Sequence, residues 1–191
     1  FGLAPNIRIL DRDIMHTDLR PIFEGADAVI HLAARTDAVN SLDHAAEYHW
    51  INVVGTERVA EACLATGTPL LFPSSTSVYG TQSEMVDESL SWLDMSPASP
   101  YASTKWHAER YLSAYGGKGL RYAIVRFGTV YGTADGKAIG WRNHTACNRL
   151  CWQAAHQIPL TIWRTAWDQQ RPYLDLKDAL RAIIWILDGD R

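Results

Sequence analysis

A chain of 191 residues, 47% apolar and 20% charged, is long enough for one domain with a substantial core and too apolar to be disordered. Its formal net charge of -3, with 18 lysine and arginine residues scattered along the chain, offers no basic surface for a nucleic-acid backbone. No apolar run approaches the roughly 20 residues that cross a bilayer and no charged-then-apolar leader opens the chain, while three cysteines (Cys63, Cys147, Cys151) suit a reducing compartment; a cytoplasmic protein with neither membrane nor nucleic-acid partners is expected.

The chain opens Phe1-Gly2-Leu3 without a methionine, so residue 1 is expected not to be the natural first residue. Residues 7–10 (IRIL) are a candidate short strand, and 28–33 (AVIHLA) form the first well-marked one. Residues 42–66, rich in Ala, Glu, Val and Leu, read as helix stopped by Gly67. A second strand, 69–72 (PLLF), runs into Ser74-Ser75-Thr76-Ser77. Ser99 is a good N-cap and Pro100 suits the first helical position, so a helix follows as far as Gly116-Gly117. Residues 122–127 (YAIVRF) are a third strand and 178–187 a last helix. The strands are nearly continuous apolar runs, the habit of strands buried on both faces of a parallel sheet. Alternation with helices implies βαβ units with right-handed crossovers, hence an α/β doubly wound parallel sheet, Rossmann-like. Ligands bind such sheets beyond the carboxyl ends of the strands, which directs attention to residues 33–36, 74–77 and 128–132.

The stretch SPASPYASTK places Tyr101 and Lys105 one turn apart on the face of a capped helix. A tyrosine titrates near pH 10, but a nearby ammonium and a helix N-terminus both favour its phenolate, so Tyr101 is a candidate general base. Chance yields such a pair about once in six chains of this composition, so the spacing alone is weak. The hydroxyls of residues 74–77 strengthen it, because one of them at the sheet edge can hold a substrate hydroxyl beside the phenolate.

HLAA (31–34), NVVGT (52–56), SSTSVYG (74–80), YASTK (101–105), RFGTVYG (126–132) and RPYLDLKDAL (171–180) occur together in this order. The chain thereby resembles the extended short-chain dehydrogenase/reductases, and more narrowly the NAD-dependent sugar-nucleotide epimerase/dehydratase family. The resemblance implies NAD as cofactor, a nucleotide-sugar substrate, and catalysis by Ser75, Tyr101 and Lys105, with Lys105 also holding the nicotinamide ribose. It implies adenine contacts from Asp13 and Ile14, a dinucleotide lying along Leu32, Ala33 and Ala34, and a backbone position near the nicotinamide at Gly128. Substrate contacts are implied for Ser75, Ser77, Thr129 and Arg171, the last gripping phosphates with its planar fork of donors. A homodimer through residues 42–66 and 101–115 is a further expectation of the resemblance.

This sequence also departs from the family pattern. The glycine-rich GxxGxxG turn that receives a pyrophosphate does not occur in it, so the N-terminal βαβ portion is expected to be absent from the chain, and a non-catalytic or inactive fragment is the alternative from another class. Thr129 stands where many relatives have asparagine, and WRTAWDQQ (163–170) replaces a glycine-rich turn. Dehydratases of the family carry an acidic pair after the position of Ser75, whereas Thr76-Ser77 stands here, which favours a 4-epimerase-like reaction over dehydration; a reductase or dehydrogenase is the other alternative. Residues 1–132 are expected to form the cofactor domain and 133–191 the start of a smaller substrate-binding region with a returning strand and helix.

No metal is expected. His144, Cys147, Cys151 and His156 lack the spacing of a metal site, and the cysteines read as core residues. His31, in a buried strand, reads as a satisfied core histidine. Trp141, Trp152, Trp163 and Trp167 read as core or interface packing rather than sugar-stacking residues.

Overall fold

The computed structural model describes residues 6–82, 85–133, 145–162, 164–167 and 170–189. The elements are α1 (Arg20–Phe23), β1 (Val29–Ile30), α2 (Ala45–His49), α3 (Gly55–Thr66), β2 (Leu70–Ser75), α4 (Pro100–Gly116), β3 (Tyr122–Phe127), β4 (Thr129–Tyr131), α5 (Ala146–Ala155), β5 (Tyr173–Asp175) and α6 (Leu176–Asp188). One sheet has the order β1-β2-β3, with Val29 opposite Leu70 and Ile30 opposite Leu71 in a parallel pair. The expectation of a Rossmann-like α/β fold with parallel sheets is borne out.

The chain divides into two compact units, Phe1–Phe72 with Pro97–Tyr122, and Pro73–Ser96 with Ala123–Arg191. In the first unit, the single helix expected over 42–66 is resolved into a 3-10 turn (Asn40–Leu42), α2, a π turn (Trp50–Val54) and α3. The π turn keeps Asn52 and Val53 buried where an unbroken α-helix would change their register. Along α3 the buried residues Gly55, Thr56, Val59, Ala60, Ala62 and Cys63 recur at three- and four-residue steps, a single core-facing stripe. That helix ends where the sequence predicts, because Gly67 adopts φ +70 while Thr68 donates back to Cys63 O at 3.0 Å. Phe72, Leu70, Leu112 and Val59 are among the largest fully buried side chains, each contributing about 1.5–3 kcal/mol by leaving water.

In the second unit β4 and β5 form a parallel pair, Thr129 opposite Tyr173, Val130 opposite Leu174 and Tyr131 opposite Asp175. Gly128 is required by the approach of that pair, since a Cβ there would stand 2.4 Å from Pro172 O. Asp175 caps α6 by accepting the Lys177 N–H at 2.8 Å.

Residues 7–10 are not a strand. A strand needs a neighbour to pair with, and among the described residues none lies beside them; Ile7, Ile9 and Leu10 are exposed. The sequence predicts no element at α1 or β4, which are too short to show a periodicity.

Candidate active site

Tyr101 lies in the first turn of α4 and Lys105 in the second. Ser99 caps this helix by accepting the Ala102 N–H at 3.2 Å, and Pro100 begins it, as the sequence predicts. The buried stripe of α4 comprises Ala102, Thr104, Lys105, Ala108, Glu109 and Leu112. Lys105, 5% exposed, carries its ammonium 4.4 Å from the centre of the Phe72 ring, a cation–π contact that compensates part of the lost hydration. Burial lowers its pKa from 10.5 to about 8, and the negative charge of Glu109 opposes that shift. Lys105 is therefore still charged at neutral pH, beside a half-buried tyrosine.

His31 stands in the same unit, buried, with its ring 5.9 Å from that of Phe72. Its Nε2 lies 3.1 Å from Thr56 Oγ1, and Thr56 gives its own proton to Asn52 O at 2.6 Å. The hydroxyl must then accept from the ring, which fixes the Nε2–H tautomer. Burial first, and the charge of Lys105 second, lower the His31 pKa to about 4, so the ring is neutral at physiological pH. The core reading of this residue agrees with that geometry.

The segment carrying the expected dinucleotide contacts leaves β1 without regular structure. Leu32 is 67% exposed, Ala33 is exposed and Ala34 half-buried. Next to them the buried Asn52 grips Arg35 at both backbone groups, accepting its N–H at 2.8 Å and donating to its carbonyl at 2.9 Å. Asp13 and Ile14 form a turn: the Asp13 carboxylate accepts the Met15 N–H at 2.8 Å. Arg58 on α3 donates to Ile14 O at 2.9 Å and to Thr17 O at 3.0 Å, so the helix holds the turn. Arg58 and Asn52 went unnoticed as single residues; the only signal was a polar or charged side chain within an otherwise apolar helical stripe.

In the second unit Ser75 ends β2 and caps the 3-10 turn Thr76–Tyr79. Its Oγ accepts from the Ser77 N–H at 3.2 Å and from the Ser77 hydroxyl at 2.9 Å, which leaves the Ser75 proton for another acceptor. Thr129 heads β4, with its N–H bonded to Pro172 O at 2.8 Å, and Arg171, exposed, directly precedes that proline.

A model of the NAD dependent epimerase/dehydratase family matches residues 3–191. The chain belongs to this family. It is 32% identical over 191 residues to a Bacillus subtilis protein named as an uncharacterized UDP-glucose epimerase, YtcB, covering 97% of this chain and 57% of that one. It is 40% identical over 136 residues to a UDP-glucuronate 4-epimerase of Thermodesulfobacterium geofontis, covering 69% and 42%. Among solved structures, the UDP-glucuronic acid 4-epimerase of Bacillus cereus with UDP-glucuronic acid and NAD superposes with a TM-score of 0.85 at 30% identity, over 97% of this chain and 57% of that one. The chain spans about half the length of these relatives.

Within this epimerase/dehydratase chain the remaining candidates separate clearly. Among the described residues no group of three or more His, Cys, Asp and Glu is placed to hold a metal ion, and His144 lies outside them. Cys63 is a core thiol, pushed up to about 12 by burial. Cys151 is exposed and Cys147 only half-buried, which corrects the core reading of that pair: α5 turns this stripe outward, and none of its residues is buried. Trp167 is exposed, so it is not a core residue of this chain, and Trp152 is half-buried against His156; Trp141 and Trp163 lie outside the described residues.

Proposed function

We propose that this chain carries the acid–base centre of an NAD-dependent 4-epimerase acting on a nucleotide sugar. The observation that carries the reading is Lys105: a buried ammonium one helical turn from Tyr101, in a chain of the epimerase/dehydratase family. Bound NAD supplies hydride removal from the sugar carbon and its return to the opposite face. Tyr101, as phenolate, takes the hydroxyl proton while the carbon–hydrogen bond breaks and gives it back when that bond re-forms, so no net proton or electron is consumed. Lys105 favours the phenolate and holds the ribose. Ser75, with one proton uncommitted, orients the reacting hydroxyl, supported by Ser77.

The side chains of the first unit fit parts of a dinucleotide. An exposed carboxylate at Asp13 beside Ile14 suits an adenosine moiety, the open apolar strand end at Leu32, Ala33 and Ala34 suits a flat ring system, and the Lys105 ammonium suits ribose hydroxyls. Gly128, Thr129 and Arg171 are assigned to the nicotinamide side and the substrate. Elimination of water is disfavoured because Thr76-Ser77 supplies no carboxylate to expel a hydroxyl. No helix among the described residues is long and apolar enough to cross a membrane, and we place the enzyme in the cytoplasm as a homodimer through residues 42–66 and 101–115.

Tyr101→Phe in the complete enzyme removes the proton acceptor and leaves its ring. The expected result is a fall in kcat by about 10²–10⁴ with the fold intact by circular dichroism; undiminished turnover refutes the assignment.

A further inference from the structure

The first turn of a helix leaves amide donors without acceptors of its own, and at α4 these donors are satisfied from two places. Pro100 has no N–H. Ala102 donates to Ser99 Oγ at 3.2 Å, and Ser103 begins the regular ladder by donating to Ser99 O at 2.9 Å. The Tyr101 N–H instead donates to Ser41 Oγ at 3.1 Å, a residue 60 positions away in the chain. Ser41 is fully buried and spends its own proton on Ala38 O at 2.6 Å, which aims an oxygen lone pair at Tyr101.

The carbonyl side of the same tyrosine is also tied. Thr104 donates to Tyr101 O at 2.7 Å and accepts from Asn52 Nδ2 at 3.0 Å. Asn52 holds both backbone groups of Arg35. Tyr48, with 1% of its surface exposed, closes the loop by donating its hydroxyl to Asp37 O at 2.7 Å. Both peptide groups of Tyr101 are thus linked to residues 35–41, the segment that runs on from Ala33 and Ala34.

We infer that Ser41 is a positioning residue for Tyr101. Its hydroxyl holds the tyrosine in register with the strand end where the cofactor lies, so that the phenolate oxygen meets the reacting hydroxyl at the correct distance. The inference rests on reading Tyr101 as the acid–base group. Ser99 serves the Ala102 and Ser103 amides locally, whereas the acceptor for the Tyr101 amide is imported from a separate segment and so also fixes where the helix sits. Displacement of a catalytic group by about 1 Å lowers rates by up to about 100-fold.

The test compares Ser41→Ala, Ser41→Thr and the control Thr66→Ala, which deletes a hydroxyl that donates to Ala62 O at the end of α3. For Ser41→Ala the expected results are a kcat about tenfold lower, a KM changed less than twofold, and a larger primary isotope effect with sugar deuterated at the reacting carbon. In the cofactor-free protein the Tyr101 amide should exchange with solvent faster. Ser41→Thr, which keeps the hydroxyl, should recover most of the rate, and Thr66→Ala should retain kcat. An unchanged isotope effect, or a kcat that falls only with the folded fraction, overturns the inference. Should Ser41→Ala not fold, Ser41→Cys offers a weaker acceptor, and the same isotope-effect criterion decides. Failure of the underlying reading shows separately, as full activity in Tyr101→Phe.

Discussion

Lys105 keeps its charge through competing influences. Burial lowers its pKa to about 8, while the carboxylate of Glu109, itself fully buried one turn on, and the face of Phe72 favour the ammonium. The ammonium is present below that pH and lost above it. Support for the Tyr101 phenolate therefore weakens as the pH rises, and kcat/KM of the free enzyme should bend downward near pH 8. Phe72→Leu removes the aromatic face but not the burial, so the bend should move to lower pH. A profile that is flat to pH 10, or a bend that moves upward in Phe72→Leu, contradicts this account of the lysine. The identities of Tyr101 and Lys105 were legible in the sequence because helical spacing and a capped N-terminus are local signals. The burial of Lys105 was not, since it depends on Phe72, which arrives from a different strand.

The helices show the same division between local and distant causes. Gly67 and Pro100 marked helix ends correctly because positive φ and a missing N–H act on the residue itself. The π turn at Trp50–Val54 escaped notice, since its extra residue is tolerated only because Asn52 finds Arg35 and Thr104 as partners. That turn also leaves Trp50 53% exposed, within one of the segments assigned to dimerisation. In the other segment Tyr111 stacks on Tyr115 at 4.3 Å, and the hydroxyls of both reach Glu61. An exposed tryptophan, with half-buried tyrosines on the second segment, is the kind of surface that marks association. Light scattering at micromolar concentration should give the mass of two chains, with Trp50→Glu shifting the population toward monomer. A wild-type protein of single-chain mass contradicts the assigned interface.

At the scale of the molecule, two βαβ steps order the first sheet and a separate parallel pair, β4 with β5, organises the second unit. The sequence announced the first arrangement through three apolar runs but concealed the second, because three-residue strands carry no periodicity and pair across more than forty positions. The central claim concerns chemistry: hydride leaves and returns within one site, with Tyr101 carrying the proton. Turnover of UDP-glucose or UDP-glucuronate by the complete enzyme in D2O, followed by proton NMR, tests it most directly. The account predicts the C4 epimer with no deuterium on any sugar carbon and no accumulation of reduced cofactor. Deuterium at a sugar carbon, a dehydrated product, or stoichiometric release of reduced cofactor contradicts it.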